Sequence, residues 1–270
     1  MTLLERLEAC VAQYWWRPRG VDVVDRPDLC YLHSTLIPAL NVVLRLNAPP
    51  ADLPALVAEV HQAHRHAGSM CWAYPHRHGD VLGRLLGDRG YVLQGHGEAR
   101  VIEIDAYRPR AVDGISVSVV ETIAGCRAGT AVNNAAFGTN RAYTDDEYRQ
   151  MLALCHRVGA RRKWFAACDD ATGALLATGS ISLHPDQGLA VLLGGGTVPE
   201  FRGRGAYSAL LAARIACARD HGLRWVGLFA DPDTSAPIVG RRGFIGHGRR
   251  ERWVRPPGKR DAGEPRGDAR

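Results

Sequence analysis

The sequence predicts an α/β fold in which apolar strands alternate with helices, and two observations carry this prediction. Residues 189–193 form a short apolar run typical of a buried strand, and a helix with apolar residues at helical spacing follows a glycine-rich turn. That helix ends at Gly222, and a second apolar run, residues 225–230, follows it. Strand, helix and strand in this order are the unit from which α/β proteins are built.

A basic, glycine-rich turn joins the first of these strands to the helix. Residues 202–206 read Arg-Gly-Arg-Gly-Ala, and Gly203 and Gly205 can adopt backbone angles that other residues avoid. The N–H groups of a helix's first turn have no partner within the helix, and the helix dipole adds positive charge at the same place. With the charges of Arg202 and Arg204 added, the turn predicts a phosphate-binding site.

Two other phosphate-binding folds also use glycine between a strand and a helix. The dinucleotide pattern Gly-x-Gly-x-x-Gly fits neither glycine pair, because Pro199 and Ser208 stand where the third glycine is required. Asp231 is a candidate for the acidic residue of that pattern, so this alternative is disfavoured but stays open. A Walker-type loop is excluded, because no Gly-Lys-Ser/Thr occurs near the turn.

The succession of strand, Arg-x-x-Gly turn, helix, strand, short helix and Gly-Phe over residues 114–254 resembles the GNAT superfamily of N-acetyltransferases. The turn matches the family pattern except at Tyr207, where the family has a small residue. The family also has a tyrosine four residues before the Gly-Phe pair, and here Val239 occupies that position. The resemblance implies a mixed, mostly antiparallel sheet flanked by helices.

The resemblance further implies transfer of an acyl group, most simply acetyl, from acetyl-CoA as co-substrate to a primary amine, with no metal. The pantetheine arm would bond main-chain groups at the end of the first strand, with an N–H near Val198 polarising the thioester carbonyl, and the pyrophosphate would lie on the turn. The expected cofactor-binding residues are Gly196, Thr197, Val198, Arg202, Gly203, Arg204, Gly205, Ala206, Tyr207 and Ser208. The alternative function is a catalytically weak or inactive CoA-binding sensor or scaffold, favoured by the missing tyrosine and by the bulk of Tyr207.

The sequence leaves the general acid and base unassigned. Asp231 and Asp233 are candidate bases and Ser235 a candidate acid, but Asp-Pro-Asp-Thr is also a common turn and helix-cap sequence. The resemblance implies that the helical region after residue 120 lines the acceptor site. Its candidate residues, for each of which aromatic packing or loop capping is an equal explanation, are Asn133, Asn134, Phe137, Tyr143 and Tyr148.

Composition restricts the partners. The net charge of +6 comes mainly from arginines spread along 270 residues, which suits a phosphate ligand but does not indicate a nucleic-acid reader. There is no apolar stretch of about 20 residues, and the N-terminus is typical of a charged amphipathic helix rather than a signal peptide. We therefore expect a cytoplasmic protein whose partner is a small-molecule or protein amine, with no nucleic acid or membrane; a homodimer stays open.

Cysteine and histidine usage predicts neither disulfides nor a metal. The seven cysteines are odd in number, widely spaced and mostly embedded in apolar runs, which predicts reduced core thiols. Histidines cluster at His61, His64 and His66 and again at His76 and His78. No carboxylate or cysteine lies at a convincing ligand spacing among them, so no metal site is expected.

The polar segment 105–114 predicts a linker, with a domain boundary near Arg110. Residues 1–110 and 111–255 are then two domains, and residues 256–270 a disordered tail with almost no apolar side chains. Arg89-Gly90-Tyr91 follows a strand and a short helix, as Arg242-Gly243-Phe244 does, so we interpret the first domain as a degenerate GNAT-like copy. Because Pro49 and Pro50 precede its helix, without glycine or arginine, this copy should hold no cofactor.

Apolar periodicity places the remaining elements. In the first domain it predicts helices over residues 3–14, 52–67 and 80–88 and strands over 29–32, 41–46, 70–74 and 99–104. In the second domain it predicts a strand over 115–120, helices over 131–137 and 145–158, a hairpin of strands 164–168 and 175–182, and a short helix over 235–241.

Overall fold

The computed structural model describes residues 1–13, 20–35, 40–157 and 159–257. The helices of these residues, in chain order, are α1 (Leu3–Val11), α2 (Leu53–Ala63), α3 (Pro75–His78), α4 (Val81–Gly87), α5 (Ile123–Phe137), α6 (Asp145–His156), α7 (Ala206–Asp220) and α8 (Ser235–Gly240). The strands are β1 (Asp22–Asp25), β2 (Leu29–His33), β3 (Val42–Leu46), β4 (Ser69–Ala73), β5 (Val92–Glu103), β6 (Ile115–Val119), β7 (Arg162–Asp169), β8 (Leu175–His184), β9 (Leu189–Thr197), β10 (Trp225–Ala230) and β11 (Ile245–Arg255). None of the helices in the described ranges is both long and apolar enough to cross a bilayer.

Internal contacts divide the chain into two compact units, each discontinuous in sequence. Unit 1 contains the described residues of 1–16 and 98–247, and unit 2 those of 17–97 and 248–270. This division differs from the predicted boundary near Arg110. The reason is strand pairing at long sequence separation: residues 98–103 of β5 pair with β10, and residues 251–255 of β11 pair with β4. The last strand of each half of the sequence therefore belongs to the unit built mainly from the other half.

Unit 1 contains a mixed sheet in the order β5, β10, β9, β8, β7, β6, in which only the β9–β10 pair is parallel. The predicted hairpin is present as β7 and β8, and α5 starts earlier than predicted because Thr122 caps it by accepting the N–H of Gly125. The largest core cluster of this unit includes Leu176 and Ile181 of β8 and Leu210 and Ile215 of α7, all fully buried. The helix α7 is thus fixed against the centre of the sheet.

Unit 2 contains a smaller sheet in the order β1, β2, β3, β4, β11, with β3 and β4 parallel. Its core packs α2 and α4 residues, among them Leu53 and Leu86, against the sheet. The helix predicted over residues 52–67 ends at Ala63, where His64 leaves helical geometry and Ala67 N–H turns back to the His64 carbonyl. Some predictions fall outside the described residues. These are the ends of two other predicted helices, at residues 14 and 158, and residues 258–270 of the predicted tail.

The same turn closes a helix in both units. Tyr91 N–H donates to the Leu86 carbonyl at 3.1 Å, and Phe244 N–H donates to the Val239 carbonyl at 3.2 Å. The glycine before each aromatic residue has a left-handed backbone, with φ of +76° at position 90 and +90° at position 243. Tyr91 and Phe244 are each 3% exposed. This shared geometry supports the interpretation of the first half as a copy of the second.

None of the seven cysteines, all of which lie in the described ranges, forms a disulfide, and six of them are buried. Burial raises the pKa of the Cys71 thiol to about 12 and that of Cys126 to about 11, which disfavours the reactive thiolate. These cysteines therefore act as small core residues.

Candidate functional site

The parallel strands β9 and β10 separate towards their C-terminal ends. Their register runs from Leu189 opposite Trp225 to Val191 opposite Gly227. β9 continues to Thr197 and β10 to Ala230, and no further pairing between them occurs in the described chain. The main-chain groups on the facing edges beyond Val191 and Gly227 are therefore available to an extended ligand.

A β-bulge in β9 lies within this opening. Thr178 of β8 is opposite Gly196, whereas Ser180 is opposite Leu193, so β9 contains one residue more than β8 over this interval. Gly194 has a φ of +56°, a left-handed conformation that favours glycine. Because bulges bend the strand that carries them, this one contributes to the separation of β9 from β10.

The bulge also brings β9 close to two helices. A Cβ on Gly195 would lie 3.0 Å from Arg214 Nη2 and 3.1 Å from the ring of Tyr207, both on α7. A Cβ on Gly196 would lie 2.7 Å from the Cβ of Ala136 on α5. Since successive residues of a strand point to opposite faces, α5 and α7 lie on opposite sides of the sheet here. Glycine is required at both positions by packing.

The turn that precedes α7 has the predicted geometry. Gly203 and Gly205 have left-handed φ angles of +81° and +94°, and Gly205 serves as the N-cap without a side-chain hydrogen bond. The backbone N–H groups of residues 203–208 donate to no protein acceptor in the ranges that the structure describes. Six consecutive N–H groups at a helix start form a cradle suited to an anion such as a phosphate.

The structure adds a second reason for glycine at position 205, besides its left-handed backbone angle. A Cβ there would lie 2.8 Å from Cγ1 of Val112, so the side chain is excluded by the protein itself. Gly203, by contrast, has no atom within 4 Å of its hypothetical Cβ and is required only by its backbone angle. A substitution at Gly205 would therefore disturb packing in addition to any effect on a ligand.

The basic residues around the turn are engaged to different degrees. Arg204 forms an ion pair with Asp169, whose side chain is only 9% exposed, and Arg202 donates to the carbonyl of Ala136 at 3.3 Å. Arg242, which is not among the predicted cofactor-binding residues, donates to Ser208 Oγ at 2.9 Å. Its place directly before the Gly-Phe pair is a signal that could have identified it.

The N–H of Val198 itself donates to the Leu176 carbonyl at 3.0 Å, so another N–H near Val198 is needed to polarise a bound carbonyl. Gly194 and Gly195, by contrast, have no register partner on β8. Extra residues of a bulge are commonly left outside the ladder. The candidate oxyanion donors are therefore the N–H groups of these two glycines.

Asp231 and Ser235, two of the three candidates for acid and base, have structural roles. Asp231 Oδ1 accepts hydrogen bonds from Asp233 N–H, Thr234 N–H and Thr234 Oγ1 at 2.9–3.1 Å, and Ser235 Oγ accepts from Asp231 N–H at 2.8 Å. This is the turn-and-cap arrangement that the sequence also allows. Val239 is 0% exposed, so its side chain lies in the core and not at a cleft.

The predicted acceptor-lining residues fall into two groups. Asn133 and Phe137 of α5 lie at the bulge: Asn133 Nδ2 is 4.0 Å from a Cβ position on Gly194, and the 54% exposed ring of Phe137 is 3.0 Å from one on Gly196. Asn133 Oδ1 is buried and has no hydrogen-bond partner in the described part of the chain. The other three predicted residues, Asn134, Tyr143 and Tyr148, make structural contacts instead.

Asn134 closes the end of α5 by accepting from Thr139 Oγ1 and Arg141 N–H. Tyr148 is 3% exposed and packs edge-on against Tyr143, with ring centroids 5.7 Å apart. These three residues are explained by capping and aromatic packing.

Arg214 lies beneath the bulge on the α7 side and is 1% exposed. Its Nε donates to the Leu210 carbonyl at 3.2 Å and its Nη1 to the Ser180 carbonyl at 3.4 Å, while Nη2 has no partner among the described residues. Burial lowers the pKa of its guanidinium. Arg214 is the one charged residue among the buried residues of α7. An arginine at an apolar position of the helical pattern is a sequence signal that could have identified this residue.

No family model matches the sequence, and no curated protein matches it. Solved structures do match. They include a GCN5-related N-acetyltransferase from Kribbella flavida, with 18% identity and a TM-score of 0.66, covering 96% of this chain and 97% of that one. Another GCN5-related N-acetyltransferase, from Sphaerobacter thermophilus, has 18% identity and a TM-score of 0.61, covering 87% of this chain and 76% of that one. A third is a tandem GNAT protein from the clavulanic acid biosynthesis pathway, with 18% identity and a TM-score of 0.62, covering 91% of this chain and 86% of that one. The chain has the GNAT fold, with the mixed, mostly antiparallel sheet that the sequence predicts.

Proposed function

We propose that this chain, which has the GNAT fold, transfers an acyl group from a coenzyme A thioester to a primary amine. One observation carries the proposal: the strands β9 and β10 separate next to a helix start where the N–H groups of residues 203–208 have no acceptor among the described residues. An opening of this kind suits an extended ligand with amide groups, and the helix start suits its phosphates. Acetyl-CoA has both parts.

The residues of the turn fit the phosphates of such a ligand. Backbone N–H groups of residues 203–208 would bind the pyrophosphate, with Arg242 and Arg202 as the nearby charged donors. Gly196 and Thr197 offer main-chain groups to the pantetheine amides along the open edge of β9. Acetyl-CoA supplies the acyl group in activated form, as a thioester.

The residues at the bulge fit the chemistry of acyl transfer. The N–H groups of Gly194 and Gly195 would stabilise negative charge on the acyl oxygen. Asn133 Oδ1, which is buried with no partner in the part of the chain that the structure describes, would accept a hydrogen bond from the acceptor amine and orient its nitrogen. These groups position the reactants, and the amine attacks directly without a covalent enzyme intermediate.

The test has two steps. Titration calorimetry with acetyl-CoA measures binding, and a thiol-release assay with a panel of aminoglycosides, polyamines, amino acids and lysine peptides then measures transfer. We expect both binding and turnover with at least one class of amine. Binding without any turnover would favour the sensor or scaffold alternative, whereas the absence of binding would overturn the proposal.

A further inference from the structure

Arg214 carries a buried positive charge that the protein does not neutralise. It is 1% exposed, and no carboxylate of the described ranges is among the groups that act on its charge. Two of its donors bond backbone carbonyls, Nη2 has no acceptor at hydrogen-bond distance among the described residues, and the side chains that act on its charge are those of Tyr207 and Tyr107. Burying a charge without an opposite charge is costly, so a partner that is present only during function would explain its retention.

The position of this charge is fixed by two glycines. A Cβ on Gly179 would lie 2.9 Å from Arg214 Nη1, and a Cβ on Gly195 would lie 3.0 Å from Nη2. The guanidinium therefore packs directly on the backbone of β8 and β9 at the bulge. The titratable groups that face it are Tyr207, whose ring centroid is 5.9 Å from the guanidinium carbon, and Tyr107, while β8 and β9 present no titratable side chain there.

Acyl transfer at this place needs stabilisation of a leaving thiolate. The nitrogen lone pair of the amine forms the C–N bond, the C–S bond breaks with its electron pair going to sulfur, and the amine proton passes to water. Neither position at which an acid was considered supplies one, because Val239 lies in the core and Ser235 Oγ accepts the Asp231 N–H. The negative charge on sulfur must then be stabilised as such.

We propose that the buried guanidinium of Arg214 stabilises the thiolate that leaves when the thioester bond breaks. This inference rests on the proposed function. The thioester is neutral and the leaving thiolate is anionic, so the charge of Arg214 favours the transition state over the ground state. A charge in a water-excluded environment acts over longer distances than one in solvent, so Arg214 can act across the backbone of Gly195 without touching the sulfur.

The thiol pKa of bound coenzyme A is a direct measure of this effect. We would follow the ultraviolet absorbance of the thiolate during a pH titration of the complex, with desulfo-coenzyme A as the blank. A nearby cation lowers a thiol pKa, and we expect a decrease of at least about one unit relative to free coenzyme A. Arg214→Met should remove this decrease, and Arg214→Lys should keep part of it. Arg219→Met, on the same helix but bonded to the Ile104 carbonyl, is the matched control and should change nothing.

The outcomes separate this inference from the proposed function. An unshifted thiol pKa in the wild-type complex overturns the role of Arg214 while leaving coenzyme A binding intact. An equal shift in wild type and in Arg214→Met also overturns it. If Arg214→Met does not fold, the thiol pKa values measured with the wild type and with Arg214→Lys still decide whether Arg214 stabilises the thiolate. Failure of coenzyme A to bind wild-type protein at all, by calorimetry, removes both proposals. In the supporting case, Arg214→Met should lower kcat about 10-fold or more with little change in the KM for acetyl-CoA.

Discussion

Arg204, the second arginine of the glycine-rich turn, is paired with Asp169 at the end of β7. Asp169 also accepts hydrogen bonds from Ala171 N–H, Thr172 N–H and Thr172 Oγ1 at 3.0–3.1 Å. The Thr172 backbone, followed by Arg204, holds the pKa of Asp169 below its usual value. Arg204 therefore fastens the turn to the β7–β8 hairpin, and its charge is already engaged.

This pairing predicts that Arg242 contributes more to cofactor binding than Arg204. Arg242→Gln should weaken acetyl-CoA binding about 10-fold, because it removes a charged donor beside Ser208 at the start of α7. Arg204→Gln should weaken binding less and should lower the melting temperature, because it leaves Asp169 without its cation. Calorimetry and thermal melts on both variants test this. A larger loss of affinity in Arg204→Gln would contradict the assignment.

A charge placed at Ser208 should separate ligand binding from folding. Ser208 lies in the first turn of α7, where an acidic side chain is favourable to the helix dipole but repels a phosphate. Ser208→Asp should keep the melting temperature and weaken acetyl-CoA binding at least about 10-fold. Ser208→Asn has the same shape without the charge and is the control. Equal affinities of the two variants would show that the phosphates lie elsewhere.

Position 239 should not accept the tyrosine that the family has there. Val239 is 0% exposed and packs in the main core of unit 1, so extra atoms would strain its neighbours. Val239→Tyr should lower the free energy of unfolding by about 1–3 kcal/mol and should not increase turnover. Ile238→Tyr, at a residue that is 39% exposed, should leave stability nearly unchanged. Denaturant melts of both variants decide, and a faster, stable Val239→Tyr protein would show that this side chain reaches the site.

Two buried histidines should make the protein sensitive to acid. His64 is held neutral by burial: its Nε2–H donates to the Leu32 carbonyl, and its Nδ1 is 2.7 Å from Ser69 Oγ, which also receives the Tyr91 hydroxyl. Burial lowers the pKa of His64 to about 4 and that of His184 to about 4, from a usual value of 6.5. Both groups remain neutral in the folded protein while they become protonated in the unfolded chain.

Stability is therefore complete above about pH 6.5 and decreases as the pH falls towards 4, by at most about 3 kcal/mol for each histidine. Denaturant unfolding at a series of pH values measures this slope. His64→Gln, which keeps one donor and one acceptor, should be less stable at neutral pH but should show a shallower slope. A wild-type stability that does not change between pH 6.5 and 4 would contradict the neutral state of both rings.

Features set by neighbouring residues could be predicted from the sequence. The strand, the turn and the start of α7 follow from the glycines at 203 and 205 and from the apolar spacing of the helix, and the structure has them at the predicted residues. The same holds for the left-handed Gly243 before Phe244. Each of these depends on contacts within a few residues.

Features that depend on pairing between distant residues could not be predicted from the sequence. The exchange of the last strands, β5 to β10 and β11 to β4, depends on hydrogen bonds between residues more than 100 positions apart. Arg204 meets Asp169 35 residues away, and the Val198 N–H is taken by Leu176. A one-dimensional pattern shows that an arginine or an N–H group is present but not whether the fold has already engaged it.

The full chain should bind one coenzyme A, although both of its halves contain a helix between two parallel strands. In unit 2 the helix α2 also follows a strand and precedes a parallel one, as α7 does in unit 1. Its first turn differs, because Pro54 lies in it and Pro49 and Pro50 precede it, and none of the three has an N–H to donate. The segment 47–52 also contains no arginine or lysine to attract phosphate. We therefore predict a stoichiometry near one when the full chain is titrated with acetyl-CoA by calorimetry.

The Ser208→Asp variant locates that single site. If the start of α7 is the only phosphate cradle, this one substitution should weaken all of the measurable binding, because three prolines interrupt the N–H groups at the start of α2 and the Asp52 N–H donates to the Pro49 carbonyl. Residual binding at half the wild-type stoichiometry, with unchanged affinity, would place a second site in unit 2. A stoichiometry near two in the wild-type chain would do the same. Either result would mean that the prolines before α2 do not prevent phosphate binding and that both copies kept the ligand.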